Sequence, residues 1–350
     1  MNIRMLLLTI SLVLVAIHCQ NVNDSDPSVK ENTSPVIVYT NIGEWYARIN
    51  VIENDVKTTL FSDDTVTRSF ADLNLKRKKI VYMRNFALYP MMGSVGEPSI
   101  TVAGMDGTDE TTLLPYNAVT GYFYPVWISE TEVAVFRQTR QESLSLLILD
   151  GATGAMNGEV TLDFSGNIYG CIMEKVSDSL LCVQCGNRYL AIVDIMVKGI
   201  RKDTTFVPDS NEYLAVTRPL VKDGDMINFT SSRYPFSYLQ YSCTGNAFRG
   251  YKFPVDSLEV LAISGEKLIV YDHDSWSNSK LMCCDRNFNV EGTFSSNAEE
   301  VIYWDGRETY CVSEGNDVYV ILKINFADGS YSMLNEPVEN NFILDARVYF

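Results

Sequence analysis

From residue 35 onward the chain is a succession of short apolar or alternating runs broken by Asp, Asn and Gly. The stretch LLILDGATGAMNGEVTL, residues 146–162, shows the unit: an apolar run enters an Asp-Gly turn, and an alternating run leaves it. Such a pattern predicts a β-hairpin. Six other stretches have the same form. They are WYARINVIENDVKTTLF, SITVAGMDGTDETTLL, YLAIVDIMVKGIRKDTTF, YLQYSCTGNAFRGYKF, LMCCDRNFNVEGTF and VYVILKINFADGSYSML. Their turns centre on residues 54, 106, 150, 194, 242, 285 and 325, a period of about 45 residues. Four-stranded propeller blades have that period.

Between the hairpins lie the two further strands that each blade needs. NIYGCIMEK and SLLCVQC follow the Asp150 hairpin, and LEVLAI and KLIVYDH follow the one at Ser242. The quoted hairpins are therefore strands C and D of each blade, preceded by A and B. At the ends only one strand remains on each side, PVIVYT at residues 35–40 and FILDARVYF at 342–350. Together they supply A and B of the first blade, which removes the exposed edge that an open array would present. The expected fold is all-β: a seven-bladed β-propeller of four-stranded antiparallel blades, closed by the N- and C-terminal strands. Six blades is the alternative, reached if the hairpin at Asn54 is discounted.

Residues 104–138, GMDGTDETTLLPYNAVTGYFYPVWISETEVAVFRQ, carry a specific resemblance. An Asp-Gly hairpin followed by a Pro-x-Trp strand, here Tyr124-Pro125-Val126-Trp127, resembles the repeat of TolB-type propellers. The likeness covers about one and a half blades and extends to the others through spacing. TolB also has an N-terminal α/β domain, for which residues 20–34 leave no room, so the resemblance implies the fold and not TolB's envelope partners.

The first nineteen residues stand apart from this pattern. Arg4 precedes an apolar run over residues 5–17, which has the length of a signal-peptide core and falls short of the ~20 residues of a spanning helix. Residues 1–19 are expected to be a signal peptide, 20–34 a polar tether and 35–350 the propeller. Cys19 ends the apolar run and resembles the lipidation site of bacterial lipoproteins, although His18 stands where that motif has a small residue. Lipidation of Cys19, giving peripheral membrane attachment, and ordinary cleavage near it are both open. The expected location is exported: periplasmic or cell-surface.

A formal charge of −16 and a pI of about 4.6 argue against nucleic acid as partner. The one basic cluster, LKRKK at 75–79, sits between two strand-like runs and reads as a solvated turn. Of the eight cysteines, seven follow Cys19 and lie in or beside apolar runs. Side chains alternate along a strand, so Cys182 and Cys185 are expected on opposite faces, as are Cys283 and Cys284. No metal site follows, and one disulfide, Cys171 with Cys182, is a candidate. No cofactor is expected.

Strand order places the B–C and D–A connections on one face, and variable loops on a rigid scaffold commonly carry function. The B–C connections contribute Tyr89, Arg137, Arg140, Arg233, Tyr234, His273 and Trp276, large aromatic and Arg side chains of the kind that anchor interfaces. His273 is the one histidine after the signal, no G-x-S-x-G elbow occurs, and no phosphate-binding loop is present. The expected function is a non-catalytic extracytoplasmic module that binds an envelope or extracellular protein, peptide or glycan. The alternative is a carboxylate-based hydrolase or lyase acting on a polysaccharide or peptide at the channel mouth. The sequence holds 44 Asp and Glu, so carboxylate pairs alone do not favour it.

Overall fold

Seven sheets follow one another along the chain, each a meander of four antiparallel strands. The computed structural model describes residues 34–43, 46–61, 66–85, 97–139, 143–165, 171–185, 189–205, 216–231, 238–251, 258–272, 280–295, 298–304, 306–315, 318–335, 338–339 and 342–350. Blade 1 consists of Phe342–Tyr349, Val36–Ile42, Ala47–Glu53 and Val56–Thr59, in that spatial order. Blade 2 follows with Arg68–Asn74, Lys79–Arg84, Ser99–Gly104 and Thr111–Leu114. Blade 3 has Thr120–Trp127, Glu132–Thr139, Ser143–Asp150 and Met156–Ser165. Blade 4 has Ile172–Lys175, Leu180–Cys185, Tyr189–Asp194 and Gly199–Thr205. Blades 5, 6 and 7 open with Val216–Asp223, Leu258–Ser264 and Ala298–Trp304. In blade 7 the short strand Val338–Glu339 also pairs with strand C.

All seven expected hairpins are present as strands C and D, the one at Asn54 included, so the count is seven blades and not six. The Asp side chain explains why the turn recurs. Asp150 Oδ1 accepts hydrogen bonds from the backbone N–H of Ala152 (3.1 Å) and Thr153 (2.8 Å) and from Thr153 Oγ1 (2.7 Å). Asp194 and Asp285 accept two backbone N–H groups each in the same way. These are Asx turns, which replace the backbone bonds that a tight reversal leaves unmade. Gly151 then lies against the Trp127 ring so closely that a Cβ would overlap it.

The core is a ring of seams between neighbouring blades. Along strand B of blade 1, Val36 and Val38 pack against Leu73, Ile80 and Tyr82 of blade 2. The alternate residues Ile37 and Tyr39 pack against Tyr310, Val312 and Ile321 of blade 7. Period-two alternation therefore feeds two seams at once. Blade 7 thus meets blade 1, and the ring is closed. Closure runs through the C-terminal strand: Val36 pairs with Tyr349, Val38 with Arg347 and Ile42 with Phe342. Val36–Tyr349 forms one compact unit.

The innermost strands of blades 1, 2 and 3 share a kink. Phe70, Tyr124 and Asp345 have φ of 52°, 50° and 53°, in strands A of blades 2, 3 and 1. At each the ladder shifts, so that two residues oppose one on strand B: Phe70-Ala71, Tyr124-Pro125 and Asp345-Ala346. This is the signature of a β-bulge. Pro125 of the Pro-x-Trp segment sits inside the bulge, where its missing N–H breaks no ladder bond. The Phe70 and Tyr124 rings meet edge-to-face at 4.4 Å.

Candidate functional site

The bulges align three innermost strands so that residues two positions beyond the kink approach one another. In blade 2 that residue is Asp72, and in blade 1 it is Arg347. Their side chains are 6% and 8% exposed, and Arg347 Nη1 lies 2.9 Å from Asp72 Oδ1. The same Oδ1 accepts the Tyr349 hydroxyl, which in turn accepts the Leu73 N–H at 3.2 Å. Asp72 Oδ2 accepts the backbone N–H of Trp127 at 2.6 Å. One carboxylate thereby joins the innermost strands of blades 1, 2 and 3.

Arg347 stands among carboxylates from several blades. Asp345, its neighbour across the bulge, lies 3.5 Å from Nε. Glu174, on the innermost strand of blade 4, adds to the field at the guanidinium. Burial opposes the Arg347 charge, and the Asp345 and Asp72 carboxylates outweigh it, so its pKa is held well above the ordinary value. Burial first, and then the Asp72 charge, push the Tyr349 phenol well above its ordinary value. The sequence reading missed this cluster. Its signal is a charged residue after Ala inside a strand-like run, SFADLN at 69–74 and LDARVY at 344–349.

Of the residues expected on the B–C face, Tyr89, Arg140, Arg233, Tyr234, His273 and Trp276 lie outside the described residues, as does Cys19 with residues 1–33. Arg137 is described, and it is not in a loop. Strand B of blade 3 runs on to Thr139, because Arg137 and Gln138 still pair with Ser145 and Leu144. The Arg137 guanidinium forms an ion pair with Glu159 on strand D of the same blade, the two side chains being 30% and 29% exposed. Strands B of blades 3, 5 and 6 end at Thr139, Ser231 and Asp272.

The opposite face, made of A–B and C–D turns, carries two related clefts. Between blades 6 and 7 a cleft of about 610 Å³ is lined by Lys267, Cys283, Glu291, Trp304, Arg307 and Glu308, among others. Between blades 2 and 3 a cleft of about 360 Å³ is lined by Lys79, Val102, Trp127, Glu130 and Asp150, among others. The linings correspond: a Lys opens strand B, an apolar residue comes from strand C, and a Trp ends strand A of the next blade. In the larger cleft Lys267 Nζ lies 2.8 Å from Glu291, which raises the lysine's pKa. Lys323 Nζ likewise lies 2.8 Å from Glu308. Among the described residues no group of His, Cys, Asp and Glu has the arrangement of a metal site.

No family model matches the chain, and no curated protein is similar to it. Solved structures are. TolB from Acinetobacter baumannii is 13% identical, over 92% of this chain and 68% of that one, with a TM-score of 0.47. The β-propeller domain of the Trilobed protease from Pyrococcus furiosus is 12% identical over 87% of this chain and 96% of that one, at 0.53. An oligogalacturonate lyase solved with manganese is 11% identical over 87% and 85%, at 0.51. At such identities the likeness is one of fold. The chain is a seven-bladed β-propeller.

Proposed function

We propose that this propeller is an exported, non-catalytic scaffold that binds a protein, peptide or glycan through the face formed by its B–C and D–A connections. The observation that supports this reading is the use made of Asp72. Both of its carboxylate oxygens are occupied, by Arg347, Tyr349 and the Trp127 N–H, so it acts as a clamp between blades and not as an acid or base. The Arg and aromatic residues of the B–C connections would supply the contact surface. Affinity capture from envelope extracts with the full chain, followed by direct titration of the captured partner, tests it. Replacing Arg233→Ala and Trp276→Ala together should leave the melting temperature unchanged and weaken binding at least about 30-fold, the ratio for a hot-spot loss of roughly 2 kcal/mol. Unchanged binding in that variant, with binding lost on Lys267→Ala and Arg307→Ala, would assign the site to the cleft between blades 6 and 7.

A second reading rests on Asp345 of blade 1 and Glu174 of blade 4, whose carboxylates both act on Arg347. Carboxylates from several blades are what a glycoside hydrolase or lyase needs. Release of new sugar ends from an acidic polysaccharide, abolished by Glu174→Gln without loss of folding, would establish that reading and displace the first.

A further inference from the structure

We propose that Cys171 and Cys185 form a disulfide that staples strand A to strand B of blade 4. Strand A, Ile172–Lys175, pairs antiparallel with Leu180–Cys185, with Ile172 opposite Gln184 and Met173 opposite Val183. The next pair in that register is Cys171 opposite Cys185. Directly opposed residues of an antiparallel ladder have Cα atoms about 4.5–5.5 Å apart. That separation lies inside the roughly 4.4–6.8 Å range of disulfides. The two thiols are joined by a hydrogen bond, and both belong to the apolar seam between blades 3 and 4, at 4% and 0% exposure. The candidate pairing of Cys171 with Cys182 is thereby corrected. Cys182 stands opposite Glu174 and points into the other seam, between blades 4 and 5. Both thiols are reduced in the structure, as are Cys182, Cys243, Cys283, Cys284 and Cys311.

The oxidant would be a donor disulfide, either a small molecule such as oxidised glutathione or a disulfide-carrying oxidoreductase. The Cys185 thiolate attacks one donor sulfur, forms a mixed disulfide and releases the first donor thiol. The Cys171 thiolate then attacks the Cys185 sulfur and releases the second. Two protein thiols are oxidised to one disulfide, and one donor disulfide is reduced to two thiols. In the folded ring, burial raises the Cys185 thiol far above its ordinary pKa, which suppresses the reactive thiolate. The exchange therefore belongs to folding, before blade 3 covers the pair, in a compartment that keeps disulfides oxidised. It depends on the exported reading for its oxidant and not on the ligand.

The test is to refold the full chain in a mixture of oxidised and reduced glutathione, block remaining thiols under denaturing conditions, and map peptides without reduction. The expected result is a linked pair containing Cys171 and Cys185, retained in Cys182→Ser and absent in Cys185→Ser. The oxidised wild type should also melt at a higher temperature than the same protein after reduction, a comparison that needs no variant. Blocking of both Cys171 and Cys185 in the refolded wild type, or a link from Cys171 to Cys182, would overturn the proposal. Neither result bears on the binding face, so the two proposals can fail separately.

Discussion

The seam between blades 4 and 5 and the seam between blades 1 and 2 meet the same packing requirement with different chemistry. The first is an apolar contact in which Leu180, Cys182, Leu190 and Ile192 face Ile227, Phe229, Leu239 and Tyr241. The second has a comparable apolar layer, Val36, Val38, Ile49 and Val51 against Ala71, Leu73, Ile80 and Tyr82, but adds the buried Asp72–Arg347 pair. Chain connectivity accounts for the difference. In blade 4 all four strands are consecutive, so short turns set their register. In blade 1 the innermost strand comes from the far end of the chain, 275 residues from Asp72 at Arg347. Apolar burial is non-directional, and a one-residue slip exchanges the two faces of a strand. An ion pair has one correct partner, so it specifies the register that no turn specifies. Such pairs contribute more to uniqueness than to net stability.

The largest expected effect comes from removing the closing strand altogether. Deletion of residues 342–350 uncovers one edge of Val36–Ile42 and removes Ala346, Ile343 and Val348 from the seam with blade 7. Cooperative unfolding should be lost, and a truncated chain that melts where the full chain does would refute closure. Next in size is Arg347→Met, which removes the buried counter-charge of Asp72 and should cost about 3–5 kcal/mol in denaturant unfolding. In the apolar seam, Ile192→Val removes one methyl group and should cost roughly 0.5–1.5 kcal/mol. A cost for Arg347→Met no greater than for Ile192→Val would show that the two seams do not differ as described.

A smaller effect distinguishes the turns from either seam. Hydrogen bonds from the turn hold the Asp106, Asp150 and Asp285 carboxylates below their ordinary pKa. A depressed pKa means that the ionised form favours the folded state. That contribution is complete above the unfolded-state value near pH 4 and is lost as pH falls through the lower folded-state values. Melting temperature should therefore fall below about pH 4, and Asp150→Asn should make the fall shallower. An unchanged acid limb in that variant would remove Asp150 from the account.

The hairpins could be read from the sequence because their chemistry is local: an Asp or Asn and its backbone partners lie within four residues of one another. The blade count followed from their spacing, and closure followed from the single strand left at each end. The bulges were hidden, because Phe70 and Tyr124 carry no glycine to advertise a positive φ. The clamp was hidden for another reason, since Asp72 and Arg347 meet only after the ring closes. The cysteine pairing turned on register. The turn over Val176–Leu180, where the Val176 and Ser177 N–H groups bond the Leu180 carbonyl, sets Cys185 and not Cys182 opposite Cys171. The expected alternation itself holds: Cys182 and Cys185 enter different seams, and so do Cys283 and Cys284.

Asp72 and Arg347 act as one unit that fixes the closing strand. Equilibrium unfolding of the full chain, of Asp72→Asn, of Arg347→Met and of the double variant measures this coupling. Each single change should be strongly destabilising, because it leaves a buried charge without its counter-charge. The double change should then cost well under the sum of the two, by an interaction of about 1–3 kcal/mol. Additive costs would reduce the pair to two independent buried residues.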